Sequence, residues 1–174
     1  MILMLSSASS INGDKNMKSG LSGPVTKFVA FLIIAAIHLA FIFTLMFVLL
    51  RVPFSGCIIT VFAFSMLFSA GSISIGLAIS YFVKDELFAA EIGLLFNTPA
   101  FMFSGFTFPL WGMPLLHSVF ALLIPFTHFL NGFLKINRMG APIKYILPEA
   151  GILLLFVIIP MVPIIIATNF SGKK

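Results

Sequence analysis

The chain alternates long apolar runs with short interruptions that are polar or rich in glycine and proline. The apolar runs extend from Phe28 to Leu50, Cys57 to Val83, Leu87 to Phe108 and Tyr145 to Thr168. A helix rises 1.5 Å per residue, so about 20 apolar residues cross a hydrocarbon layer about 30 Å thick. The pattern therefore predicts four transmembrane helices with these bounds.

The stretch between Asn97 and Pro114 is an apolar run in which helix breakers lie close together. Its sequence is NTPAFMFSGFTFPLWGMP, and the breakers are Pro99, Gly105, Pro109, Gly112 and Pro114. A helix tolerates Pro99 as a kink, but Pro109 and Pro114 remove donors and clash with the preceding turn, so no straight helix should continue past Phe108. Irregular backbone at membrane depth needs cover from protein or from a water-filled cavity, which makes this stretch a candidate functional site.

The next apolar run begins at Leu115 and carries several polar side chains. Pro125 near its middle predicts two short helices, each under half of a bilayer crossing, that dip into the membrane and return as a re-entrant hairpin at about 113–140. A fifth crossing is the alternative. His117 and His128 have no carboxylate or cysteine near them in sequence, so we expect no metal site.

Composition places the chain among integral membrane proteins, because 60% of its residues are hydrophobic, 9% are charged and the mean hydropathy is +1.19. The predicted fold is all-α, with a polar lead-in at 1–24, a transmembrane domain at 25–170 and a basic tail at 171–174. The net charge of +5 is spread between apolar runs, where basic residues mark topology, so no nucleic-acid partner is expected. The few ionisable side chains form no recognised catalytic pairing, and no enzyme is expected.

Basic residues between the runs leave the number of spans open. Four spans with a hairpin put six basic residues in the cytoplasm and four outside, whereas five spans divide the same ten residues seven to three. In the four-span arrangement the cytoplasmic residues are Lys15, Lys18, Lys27, Lys84, Lys173 and Lys174, and the outer ones are Arg51, Lys135, Arg138 and Lys144.

The second run carries Ser72, Gly76 and Ser80 at four-residue spacing, which places them on one helix face. Small residues at this interval let helices approach closely in lipid, and we expect them to pack within this subunit, with a subunit interface as the alternative. His38 is the single ionisable group of the first run. We interpret it as packing against a neighbouring helix rather than as a proton relay.

The order of motifs from Ser104 onward resembles a known family. The motifs are SGFTFP at Ser104–Pro109, then MP, then IPFTHFL at Ile124–Leu130, then a basic residue and glycine. This order looks like that of the membrane subunit of type-2 ABC transporters. In that family the fifth span ends at a Ser-Gly and Pro motif, two re-entrant helices form the extracytoplasmic gate, and a sixth span follows. The matching positions are Ser104, Gly105, Pro109, Met113, Pro114, Pro125 and Arg138.

The resemblance implies that the four spans correspond to the third to sixth of the family's six, so that the chain is a C-terminal portion. It also implies a permease subunit of an ATP-driven exporter in a bacterial inner membrane. Its partners would be a second permease half, identical or different, and an ATP-binding subunit that holds ATP and Mg. No GxxxxGK[ST] phosphate loop occurs in the sequence. The alternative is a small structural or assembly membrane protein, or a fragment that does not transport.

Overall fold

The computed structural model describes residues 22–51, 56–83, 85–105 and 112–171, and every regular element in these ranges is helical. Pro109, Lys84, most of the lead-in (1–21) and the tail residues 172–174 lie outside them. The elements are α1 (Ser22–Thr44) with a π-helical turn (Leu45–Leu49), α2 (Ile58–Phe82), α3 (Glu86–Phe103), α4 (Leu115–Leu122), α5 (Pro125–Met139), a 3₁₀ turn (Ile143–Tyr145) and α6 (Leu147–Ser171).

Three helical segments are long and apolar enough to cross a membrane, namely Gly23–Leu49, Ile58–Phe82 and Leu147–Thr168. The pair α4 and α5 would count as a fourth if it formed one bent span. The apolar part of α3, Leu87–Phe103, is shorter. Length and composition therefore support three or four spans in the described part of the chain, and the protein is an integral, multi-pass membrane protein.

Helix α2 is the centre of the bundle, because it contacts α1, α3, α5 and α6. In its apolar segment 39% of residues are buried, against 6% in α1 and 11% in α6. The α1 helix runs antiparallel to α2: the Phe43 ring lies 5.8 Å from Phe62 near the start of α2, and Ala35 packs with Leu77 near its end. Most of the α1 surface therefore remains available to lipid or to another chain.

Helix α6 runs in the same direction as α2 and packs closely against it. A Cβ added at Gly71 would lie 3.4 Å from Phe156 Cβ and 3.6 Å from the Leu153 carbonyl oxygen. Two apolar clusters line this contact, one of Val61, Phe64, Ile136, Ile146 and Leu153, and one of Ala35, Ile73, Leu77 and Ile164. Although Pro160 and Pro163 lie inside it, α6 continues as a helix through both.

Helix α3 ends at Phe103, five residues before Phe108, the last residue that the proline spacing allows in a straight helix. The Ser104 hydroxyl donates to the Phe101 carbonyl at 3.0 Å, and Gly105 has a φ of 92°. These local features turn the backbone before Pro109 is reached. At its other end α3 is capped by Asp85, whose carboxylate accepts from the Leu87 N–H at 2.9 Å.

Candidate functional site

The candidate site is centred on the bend between α4 and α5, whose axes differ by 82°. Ile124 is extended, with φ −99° and ψ 122°, and Pro125 is the first residue of α5. Proline suits this position because its missing N–H would have had no partner in the first turn. The helix break expected at Pro125 is therefore present. The expectation that both helices would be under half a crossing fails for α5, which has 15 residues and is about 22 Å long.

The side chain of His128 stabilises the bend between α4 and α5. Its Nε2 lies 2.8 Å from the Leu122 carbonyl oxygen at the end of α4, and the imidazole is buried. A carbonyl only accepts, so Nε2 carries the hydrogen and donates. The ring also lies 6.3 Å from that of Phe156 on α6. His128 thus joins α4, α5 and α6.

An aromatic cluster holds the first half of α5 against the middle of α2. The Phe68 ring lies 4.5 Å from Phe129 and 6.0 Å from Phe126, and Phe126 lies 6.1 Å from Phe101 near the end of α3. Phe68 is ten residues, or about 15 Å, from the first residue of α2. Helix α5 therefore begins near the middle of α2.

The other end of α5 lies beside the beginning of α2. A Cβ at Gly132 would collide with the Phe64 ring, and one at Gly56 would collide with the carbonyl oxygen of Ile136. Lys135 pairs with Glu149 in the first turn of α6, where a carboxylate also faces the positive end of the helix dipole. Helix α5 thus extends from the middle of α2 to its start.

The residues that resemble the family gate are distributed along this region. Ser104 is fully buried and Gly105 has the positive φ expected of a residue without Cβ. Pro114 is the N-cap of α4 and Arg138 is in the last turn of α5, while Met113 is half-buried and Pro125 buried. The structure joins Ser104 and Gly105 to α4 through Phe103, whose ring lies 5.2 Å from His117 and 6.0 Å from Phe120. It does not bring Arg138 to them, because Arg138 lies at the far end of α5.

The small residues of α2 occupy a different environment from the expected close helix contact. No atom of a neighbouring helix, among the described residues, lies within 4 Å of a Cβ built at Gly76, and Ser80 is half-buried. Ser72 and Gly76 line a cleft instead. The close approach of α2 to another helix uses Gly71 on a different face.

The cleft lies between α1, α2 and α3 and has a volume of about 460 Å³. Its walls are apolar apart from His38, Ser69, Ser72 and Asn97. His38 is exposed there rather than buried against a neighbouring helix. The sequence analysis did not predict Asn97 or Glu149 as site residues, although a lone amide within an apolar run was a signal for Asn97.

The native thiol Cys57 marks one end of the bundle. It is the N-cap of α2 and is exposed. Hydrogen bonds from the Thr60 backbone N–H, then from the Thr60 hydroxyl and the Ile59 N–H, lower the pKa of the Cys57 thiol. The thiol is therefore a convenient natural label.

Comparison with protein families identifies the class of this membrane protein. Residues 17–166 match the family described as ABC-2 family transporter protein. The match spans well over half of the 174 residues, so the chain belongs to this family. It is a membrane permease of an ABC transporter, a transport component whose ATP hydrolysis lies in other subunits. No curated protein and no solved structure matches the chain.

Proposed function

We propose that the chain is the permease subunit of an ABC exporter, with four membrane spans and a re-entrant hairpin formed by α4 and α5. The observation that carries the proposal is the position of α5, which begins near the middle of α2 and ends beside its first residues. Given the family pattern, in which the pair enters from the side where α5 ends, a complete crossing would have carried the chain to the opposite end of α2 instead. Helix α5 is then the returning arm of a re-entrant segment.

The partners follow from what the chain lacks and from its family. ATP and Mg are bound by a separate ATP-binding subunit, since the sequence has no phosphate loop. A second permease half faces this one, either as a second copy or as a different chain, because a few helices do not enclose a transport path by themselves. The complex resides in a bacterial inner membrane, with both ends of this chain in the cytoplasm.

Labelling of single cysteines from outside intact cells tests the topology. We would use wild-type Cys57 as the reference and, in a Cys57→Ser background, Asn137→Cys in the last turn of α5 and Lys174→Cys at the C-terminal end. The four-span arrangement predicts that an impermeant maleimide modifies positions 57 and 137 but not 174. Modification at 174 and not at 137 would contradict the hairpin. Permeabilised cells show that each thiol can react.

The direction of transport is tested by comparing metabolites inside and outside cells. Cells that lack this chain should accumulate the substrate inside and lose it from the medium, and complementation with the wild-type gene should restore export. The opposite redistribution would indicate import and would contradict the exporter proposal.

A further inference from the structure

The cleft between α1, α2 and α3 contains polar side chains at membrane depth. Ser72 is ten residues, or about 15 Å, from the last residue of α2, and Asn97 is eleven residues, or about 16 Å, from the first residue of α3. His38 lies near the middle of the segment Gly23–Leu49. Since the hydrocarbon layer is about 30 Å thick, all three lie near its centre.

These three side chains lack hydrogen-bond partners within the described residues, whereas the Ser69 hydroxyl in the same cleft donates to the Ser65 carbonyl at 2.9 Å. Polar groups in the hydrocarbon layer are costly without partners, because no bulk water is available there. Such groups usually face a cavity or a ligand path. Their convergence from three helices on one cleft indicates that a bound molecule supplies the hydrogen bonds.

The rest of the cleft defines the kind of molecule that fits. Its volume of about 460 Å³ is in the usual range for small-molecule sites. Phe31, Phe68 and several aliphatic side chains form the walls, and no Asp, Glu, Lys or Arg occurs among the described lining residues. A charged group would have no counter-ion in this low dielectric, whereas a hydroxyl or amide could bond to His38, Ser72 and Asn97.

We propose that this cleft binds an uncharged amphipathic molecule, with an alkyl or aromatic body and a hydroxyl or amide group, that enters from the lipid bilayer. The exposed lining residues Ile34, His38 and Asn97 leave the cleft open at membrane depth. The site is distinct from the bent pair α4 and α5. It is a binding site whether or not the bound molecule is transported.

Photolabelling of the full chain in phosphatidylcholine nanodiscs tests the proposal. The probe is a long-chain alcohol with a diazirine in its alkyl chain, and the controls are the alkyl sulfate and alkyltrimethylammonium of the same chain. We expect the alcohol to label the cleft residues of α1 and α2, as located by mass spectrometry, and both charged probes to label them much less. Equal labelling by all three probes would overturn the assignment.

A substitution that fills the cleft provides a second test of the proposal. Gly76→Leu places a side chain in space that is empty within the described residues and should reduce labelling by about tenfold. Gly151→Leu is the matched control, because Gly151 in α6 also has no atom near its Cβ position and lies outside the cleft. It should change labelling by less than about twofold. Unchanged labelling of a folded Gly76→Leu protein would contradict the proposal.

The polar contacts are tested separately. His38→Leu removes one hydrogen-bonding group and should weaken alcohol binding by about tenfold, whereas His38→Gln should recover most of it. Equal binding by the three proteins would overturn the role of His38. A photoreactive amino acid at Ile34 in native membranes should form no adduct with another protein, and a discrete protein adduct would assign the cleft to a partner helix instead. Because these assays need neither ATP nor the ATP-binding subunit, their failure leaves the permease function standing.

Discussion

Gly105 is the residue at which the chain leaves α3, and its φ of 92° is a value that side chains with a Cβ rarely adopt. An L-residue with positive φ costs about 1–2 kcal/mol. We expect Gly105→Leu to abolish export in the complete complex while the protein still inserts into the membrane. Export and membrane-fraction abundance, measured together, check this prediction.

Two variants control for the added side chain and for the neighbouring aromatic residues. Gly151→Leu adds the same side chain at a position with open space around it and should retain export. Phe106→Leu nearly keeps volume and apolarity and should cost little. A Gly105→Leu protein that inserts normally and exports at the wild-type rate would end the gate hypothesis. A protein that no longer inserts would show that Gly105 serves folding.

Packing of α5 on α2 depends on two glycines that differ in what a Cβ would meet. At Gly56 the obstacle is the Ile136 carbonyl oxygen, which is backbone and cannot move alone, and at Gly132 it is the ring of Phe64. We expect Gly56→Ala to lower the free energy of unfolding by about 1–3 kcal/mol and Gly132→Ala by less. Gly151→Ala should be neutral or stabilise by up to about 1 kcal/mol. Thermal unfolding in one detergent compares the three, and an equal effect at Gly56 and Gly151 would contradict the close approach of Gly56 to Ile136.

The Lys135–Glu149 ion pair ties the end of α5 to the start of α6. The Lys135 side chain is 38% exposed, so solvent screens the pair and we expect a coupling free energy of about 1 kcal/mol. Lys135→Met should destabilise the protein more than this because Glu149, only 13% exposed, loses its partner. Thermal unfolding of a double-mutant cycle with Glu149→Gln measures the coupling. Strictly additive effects would show that the pair does not hold α5 in place.

The helices and the break between them could be predicted from the sequence, because both depend on local chemistry. The length of the apolar runs predicts the long helices, and the missing N–H of Pro125 predicts the end of α4 and the beginning of α5. The early end of α3 could not be predicted, since no rule of spacing shows that Ser104 will bond to Phe101. The cleft needs His38, Ser72 and Asn97 from three separate helices, and only the tertiary arrangement brings them together.

At the scale of the whole molecule, the family places ATP hydrolysis in other subunits. We expect the chain, purified from its own host in mild detergent, to copurify with a nucleotide-binding protein and to have the mass of an assembly with two permease halves. Native mass spectrometry measures both. A membrane protein of unrelated family, purified with the same tag, is the control. A monomer without any nucleotide-binding protein would remove the main support for the transporter assembly.

The close contact between α2 and α6 at Gly71 limits how the bundle can deform. Two helices whose backbones nearly touch cannot slide or rotate independently without unpacking side chains. Helices α2 and α6 therefore move as one rigid body. The His128 ring, which lies beside Phe156, and Lys135, which pairs with Glu149, attach α5 to α6. Helix α1 packs chiefly on α2, and α3 makes a smaller contact with α2, so both are freer to move than α6. A tilt of α1 relative to α2 would widen or narrow the cleft between α1, α2 and α3, while α4 and α5 kept their positions.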